Sequence, residues 1–293
     1  MKSLAYYNGC FCELDEMYIP LNDRGFFFGD GVYEAVYCYN KKIFALDEHL
    51  TRFFESIKAM QINLEINYAE LKSLIERMVG KVKDERLLVY WQATRGTARR
   101  NHSFDRSMKA NLYITVRHGE LRDMTKPIKV ITAPDLRHGY CNIKTLNLLP
   151  NVLAFQNAEE QGKQEVIFHR SGRITECAHS NVSILKNGEL LTPPSDNMIL
   201  AGIGRAHLME TCRDLGITVK EQEFYLPDLF AADEIILTAA GSLCISVGEI
   251  DGKKTGGKDN VLLSRIRSKL IKEFCDYCCC KESEIYERKQ GGN

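Results

Sequence analysis

The stretch Cys141-Asn142-Ile143-Lys144-Thr145-Leu146-Asn147-Leu148-Leu149 sets one lysine among apolar side chains, with no other charge beside it. A lysine held in an apolar site has a lowered pKa and becomes a competent amine nucleophile. The alternative is a strand-end lysine whose ammonium snorkels to solvent, and taken alone the stretch favours that plainer reading. What lies around it decides.

Upstream, Leu4–Asn8 and Gly31–Tyr39 have strand composition, and Asn40-Lys41-Lys42 reads as a hairpin turn before Ile43–Leu46. Asp47 is the expected N-cap of a helix over Glu48–Met60, where Leu50, Phe53, Phe54 and Ile57 recur at helical spacing. A second helix is expected near Tyr68–Lys83, then strands over Arg86–Thr94 and Ala110–Val116. Downstream, Ile128–Thr132 reads as a strand, and Asn151–Gln161 as a helix stopped by Gly162. Further strands are Glu165–His169, Val182–Lys186, Glu189–Thr192 and Glu234–Thr238, with Asn187-Gly188 a type I′ hairpin turn. Ile203–Leu215 and Val261–Tyr277 read as helices. Helices and strands mixed without regular βαβ alternation predict an α+β fold.

At roughly 100–200 residues per domain, 293 residues suggest two domains. The polar stretch His118–Lys126 breaks both periodicities, so the boundaries are residues 1–118 for a small N-terminal domain, 119–126 for a linker, 127–280 for a larger C-terminal domain, and 281–293 for a polar, frayed tail.

Lysine plus arginine balance aspartate plus glutamate at 39 each, which argues against nucleic acid or an anionic membrane as partner. The longest clean apolar run, Leu87–Trp91, is far below the roughly 20 residues a spanning helix needs, and the N-terminus has no signal-peptide pattern. Eleven cysteines scattered through such a chain point to a reduced, cytoplasmic protein. Cys275, Cys278, Cys279 and Cys280 include a C-x-x-C spacing without a second ligand pair, so no metal is expected and the cluster reads as a helix end with partly core-facing thiols.

Gly29-Asp30-Gly31 and Gly202-Ile203-Gly204 each lack the third glycine of a dinucleotide fingerprint. The second immediately precedes a helix, where free N–H groups suit a phosphate, although a plain helix-entry turn accounts for it as well. Glu176, just after the Ser171-Gly172 turn, offers a carboxylate that would keep a pyridine nitrogen protonated, and a surface glutamate is the bland alternative.

As a set these residues resemble the fold type IV pyridoxal 5′-phosphate (PLP) enzymes, and within them the D-amino acid aminotransferases. The resemblance runs from about Tyr7 to the terminal helix. It rests on Asp23-Arg24-Gly25-Phe26-Phe27-Phe28-Gly29-Asp30-Gly31-Val32-Tyr33-Glu34, on Asp47-Glu48-His49-Leu50-Thr51-Arg52, and on the Lys144 stretch. Thr175-Glu176 with Ser180-Asn181-Val182, and Asn197-Met198-Ile199-Leu200 with Gly202-Ile203, complete it. It implies a two-domain fold and a homodimer acting on a small amino acid and a 2-oxo acid, of the D-alanine and 2-oxoglutarate type.

By the same resemblance Lys144 is the Schiff-base lysine and the base that moves the substrate α-proton, and Glu176 pairs with the pyridine nitrogen. Arg52 holds the phosphate with the Ile203 and Gly204 amides, and Arg137 stands near the phenolic oxygen. Ala239 and Ala240 lie in the second phosphate loop. In Arg95-Gly96-Thr97-Ala98-Arg99-Arg100-Asn101-His102, Arg100 and His102 with Tyr33 would trap the substrate α-carboxylate, and a basic surface loop is the alternative. Two residues apart on an extended loop, they point the same way.

Three departures bear on this. Gly204 and Thr238-Ala239-Ala240-Gly241-Ser242 stand where the family commonly offers hydroxyls, and His179 replaces a small polar residue near the ring. The same scaffold serves branched-chain L-amino acid aminotransferases and aminodeoxychorismate lyases, and the lost hydroxyls would also suit a catalytically weak PLP-binding homologue.

Overall fold

Along Gly31–Tyr39, Val32, Val36 and Cys38 are buried while Tyr33, Ala35 and Tyr37 are half-buried. This is the period of two that puts successive side chains on opposite faces of a strand. Glu34 breaks the pattern, a carboxylate at an inward position. The computed structural model describes residues 2–286 and divides into two compact units. The first takes the chain up to Leu121 together with Ile143–Asn147 and Asp276–Cys280. The second takes Arg122–Asn142, Leu148–Cys275 and the described residues from Lys281. The short segment bearing Lys144 thus clusters with the N-terminal unit, although the chain on either side belongs to the other.

The first unit contains β1 (Leu4–Tyr7), β2 (Cys10–Cys12), α1 (Arg24–Phe28), β3 (Gly31–Tyr39), β4 (Lys42–Ile43), α2 (Leu46–Ala59), α3 (Tyr68–Lys81), β5 (Arg86–Thr94) and β6 (Asn111–His118). Its antiparallel sheet has the order β2-β1-β6-β5-β3-β4. Helix α2 buries Leu46, Leu50, Phe53 and Ile57, spaced at three and four residues, so one stripe meets the sheet. Phe53 and Trp91 are fully buried with ring centroids 6.1 Å apart. Asn67 and Glu70 form a reciprocal capping box that starts α3.

The second unit contains β7 (Ile128–Pro134), α4 (Leu149–Glu160), β8 (Glu165–Arg170), β9 (Arg173–Cys177), β10 (Asn181–Lys186), β11 (Glu189–Thr192), α5 (Ile203–Asp214), β12 (Val219–Glu221), α6 (Leu226–Ala231), β13 (Glu234–Ala239), β14 (Ser242–Ile250), β15 (Lys253–Lys254), α7 (Asn260–Cys278, whose residues from Asp276 cluster with the first unit) and α8 (Glu282–Tyr286). The strand order is β12-β11-β10-β13-β14-β7-β8-β9, with β15 on β14. Parallel pairing of β14 with β7 and of β7 with β8 makes this sheet mixed. Asn187 and Gly188 have φ of 53° and 76°, the geometry of the expected type I′ turn.

The α+β expectation holds, with local corrections. Helix α2 starts at Leu46, and its cap position is Ala45 with a φ of 54° and no side-chain bond. Asp47 lies inside the first turn and accepts from Lys72 and Tyr68 instead. Strand β4 is only Lys42–Ile43, because the turn into α2 takes the next residues. Strands β2, β9, β12, β14 and β15 and helices α1 and α6 have no counterpart among the expected elements. In the polar tail Glu282–Tyr286 is a helix rather than frayed chain, and its remainder lies outside the described residues. Cys275 and Cys278 are buried and Cys279 is exposed, as a helix end with partly core-facing thiols requires.

Candidate active site

The lysine segment is tied to the start of β3. The Tyr33 amide donates to the Lys144 carbonyl at 3.0 Å, and the Leu146 amide to the Gly31 carbonyl at 3.0 Å. Asn147 donates from Nδ2 to the Gly29 carbonyl at 3.1 Å. Gly31 is required for this closeness, since a β-carbon there would stand 2.5 Å from the Ala93 carbonyl oxygen and 2.8 Å from Leu146 Cδ1. Lys144 is half-buried, with Nζ 4.2 Å from the centroid of the Tyr33 ring. Tyr33 in turn stacks on Tyr90 at 5.6 Å. The amine therefore sits over an aromatic face, a favourable place for a cation.

Behind β3 lies a second charged group. Glu34 has a fully buried side chain that accepts a fork from Arg52, Nε at 2.7 Å and Nη2 at 2.9 Å, and meets His49 Nδ1 at 2.7 Å. Burial alone would raise the Glu34 pKa, but the Arg52 charge and the bonds from His49 and Arg52 outweigh it and hold it at about 2. Burial lowers the His49 pKa, only partly offset by Glu34. Arg52, expected at the phosphate, thus has two of its nitrogens on a protein carboxylate, an arrangement that fixes the plane of its guanidinium.

Arg100 and His102 are exposed, and both gather at Phe28: the Arg100 guanidinium lies 5.2 Å from that ring's centroid and the His102 ring 5.3 Å. The two expected carboxylate ligands thus share one aromatic support.

In the second unit, Glu176 is buried at the end of β9 and contacts Nη1 of Arg137. Its Oε2 accepts from Asn181 Nδ2 at 3.0 Å and from the Leu200 amide at 3.1 Å. Arg137 also binds Asp135 at 2.8 Å and the Met198 carbonyl at 3.0 Å. Burial would lower the Arg137 pKa, but the Asp135 and Glu176 carboxylates raise it beyond its ordinary value. Asp135 is correspondingly held below the usual carboxylate range, the Arg137 contacts outweighing its own burial. These pairs keep a charged carboxylate in a buried place.

Helix α5 begins at Ile203 with Gly202 as its cap. A β-carbon on Gly202 would stand 1.9 Å from Asn181 Oδ1, so glycine there and the Asn181 bond to Glu176 depend on one another. Gly204 faces the end of β13: a β-carbon would find Thr238 Cβ at 3.5 Å and Ala239 N at 3.6 Å, ordinary contacts. The Thr238 hydroxyl is buried there and has no hydrogen-bond partner among the described residues. Ala239 ends β13 and Ala240 lies in the turn to β14. A helix N-terminus beside an unpaired buried hydroxyl is a fit place for a phosphate. A buried, donor-supported carboxylate likewise fits a protonated pyridine nitrogen, so the residues present suit PLP. His179, expected near the ring, pairs with Glu165 at 3.0 Å and sets its ring edge-on to Phe155 at 5.1 Å.

The structure thus brings Lys144 to Tyr33 and Arg100 to His102 in one unit. In the other it brings Glu176 to Arg137, and Gly204, next to Ile203 at the start of α5, to the Thr238–Ala239 end of β13. Sequence reasoning missed Glu34, Asn181 and Thr238 as contributors. Glu34 had a signal, a charge in phase with the inward residues of a strand, and Thr238 had one in being the hydroxyl that the alanine-rich loop retains.

The family model for amino-transferase class IV matches residues 31–250. D-alanine aminotransferase of Listeria monocytogenes is 36% identical over 286 residues, covering 95% of this chain and 98% of its own. D-alanine aminotransferase of Staphylococcus aureus is 37% identical over 253 residues, covering 85% and 89%. Among solved structures, Escherichia coli branched-chain amino acid aminotransferase superposes with a TM-score of 0.85 at 22% identity, over 98% of this chain and 97% of that one. The T.th. branched-chain amino acid aminotransferase complexed with N-(5′-phosphopyridoxyl)-L-glutamate gives 0.81 at 21%, over 95% of each chain. On the family match and the near full-length relatives, the chain belongs to the class IV amino-transferases and is a PLP-dependent aminotransferase of the type IV fold.

Proposed function

We propose that the chain moves an amino group from a D-amino acid of the D-alanine type to a 2-oxo acid of the 2-oxoglutarate type. The observation that carries this reading is the pairing of Arg100 with His102 on one aromatic ring, in a chain whose relatives over 95% of its length are named D-alanine aminotransferases. A guanidinium and an imidazole on one support are suited to a single carboxylate, and Tyr33 adds a phenol beside the amine.

Bound PLP supplies an electron sink for the pair left when the substrate α-proton departs. Lys144 is the residue that would hold PLP, and its amine, when free of the cofactor, would take that proton, a role suited to a short segment anchored on both sides of it. Glu176, hydrogen-bonded by Arg137, Asn181 and the Leu200 amide, would pair with the protonated ring nitrogen. The Ile203 and Gly204 amides, the Thr238 hydroxyl, and Ala239 and Ala240 in their loop form the phosphate cradle. Arg52, oriented by Glu34, would offer its charge to a phosphate, and Arg137, which contacts Glu176, would be the arginine for the phenolic oxygen. Without the usual hydroxyls at 204 and 239–240, loss of up to two bonds at about 1 kcal/mol each weakens the cradle without abolishing it.

Tyr18, Leu21 and Phe26 in the first unit and Leu149, Val152 and Leu153 on α4 are exposed apolar side chains, which supports a homodimer that covers them. Eleven cysteines scattered through the chain support a reduced, cytoplasmic setting. Among the described residues no helix is long and apolar enough to cross a membrane.

The test is turnover of D-alanine, L-alanine and L-leucine with 2-oxoglutarate as acceptor. Pyruvate formation from D-alanine well above the L-substrates supports the reading, and exclusive activity on L-leucine overturns it.

A further inference from the structure

Beneath the Arg100–His102 loop lies a buried ionic cluster that the reaction itself does not use. Asp30 receives Nε of Arg24 at 2.8 Å, and Nε of Arg95 at 2.9 and 3.0 Å. The side chains of Arg24, Arg95 and Asp30 are only 4%, 5% and 10% exposed. Arg24 spends its remaining donors on the loop, with Nη1 bonded to the Asn101 carbonyl and Nη2 to the His102 carbonyl at 3.3 Å. Arg95 reaches the other way, to the carbonyls of Gln61 at 2.9 Å and Met60 at 3.0 Å.

Two rings close the group. The Arg24 guanidinium lies 4.8 Å from the centroid of Phe28, the ring that also supports Arg100 and His102. Arg95 lies 3.7 Å from Phe104 at the far side of the loop. Backbone bonds lace the same segments, Arg24 N to Gly96 O at 2.9 Å, Arg95 N to Asp30 O at 2.9 Å and Ala98 N to Asn22 O at 3.1 Å. Gly96, at a φ of 127°, would bring a β-carbon 2.3 Å from the Lys109 carbonyl oxygen, so the loop base has one available shape.

Apolar side chains of similar volume would fill such a place at no loss of stability. What they would not do is fix the Asn101 and His102 carbonyls, which directly follow Arg100 in the loop. We propose that Arg24, held by Asp30, is a positioning residue that sets the loop so that Arg100 and His102 meet the substrate carboxylate, and thereby sets the preference for carboxylate-bearing substrates. This rests on the assignment of Arg100 and His102 made above.

The test compares single-turnover reaction of the holoenzyme with D-alanine and with D-alaninamide, which lacks the carboxylate, in wild type, Arg24→Met, Arg24→Lys and Arg100→Met. Wild type prefers D-alanine, and Arg100→Met loses that preference by about tenfold or more. Arg24→Met is expected to lose it to a similar extent while its D-alaninamide rate and cofactor absorbance stay close to wild type. Arg24→Lys, which keeps the charge but not the planar fork, is expected to fall between them and serves if Arg24→Met does not fold. If the preference persists in the Arg24 variants but is lost in Arg100→Met, or if the Arg24 variants slow both substrates equally, the positioning role is wrong and the carboxylate assignment stands. Persistence in Arg100→Met as well overturns the assignment and the inference with it.

Discussion

Asn181 donates to Glu176 at 3.0 Å from the very side chain whose oxygen fills the space a β-carbon on Gly202 would take. The carboxylate proposed for the ring nitrogen and the glycine that opens the phosphate helix are therefore mechanically coupled. In Gly202→Ala the new methyl must displace Asn181 and with it a donor to Glu176. We expect a stability loss of about 1–3 kcal/mol from overpacking. The cofactor absorption band should also shift to a different pH dependence, as followed by titration of the holoenzyme between pH 5 and 9.

The phosphate cradle can be tuned in either direction. A side chain at Gly204 meets only ordinary contacts, so Gly204→Ser is expected to fold and to add a hydroxyl toward the cradle. One added hydrogen bond is worth roughly 0.5–1.5 kcal/mol, or about 2–10-fold in cofactor affinity. Thr238→Val removes the unpaired hydroxyl and is expected to weaken affinity by a similar factor. Equilibrium dialysis against PLP reads both changes.

Acid should unfold the N-terminal unit through Glu34 and His49. The Glu34 pKa is depressed to about 2, so the stability it contributes is present above its ordinary value of 4.5 and is lost as the pH falls from 4.5 toward 2. His49 adds the same sign from higher pH: burial depresses it below 6.5, so the folded state resists its protonation and stability drops as the pH falls through that value. Glu34→Gln leaves Arg52 without its buried counter-ion, at a cost of about 3–5 kcal/mol near neutral pH. It should also flatten the loss below pH 4.5. Urea midpoints at pH 7, 5 and 4 check both statements.

The elements that could be read from sequence were those whose signal is local. Leu50, Phe53 and Ile57 recur at helical spacing and form the buried stripe of α2, and Asn187-Gly188 carries its turn in two residues. Helix α1 was missed because Gly25, Phe26, Phe27 and Phe28 are poor helix formers; its start depends on the Asp23 carboxylate accepting from the Gly25 amide. Strand β14 is buried without alternation from Ser242 to Val247, and serines interrupt its apolar residues, so periodicity alone cannot assign it. In the site, resemblance supplied Lys144, Glu176 and Arg100, but the groups that hold them were hidden by distance along the chain. Asp30 and Arg95 are 65 residues apart, and nothing near either one announces the other.

The proposed chemistry depends above all on the amine of Lys144. Purified holoenzyme reduced with borohydride, digested and analysed by mass spectrometry should carry the phosphopyridoxyl mass on the peptide containing Lys144 and on no other. Lys144→Ala should yield no labelled peptide. Label on a different lysine, or none in the wild-type protein after incubation with excess PLP, would contradict the central claim.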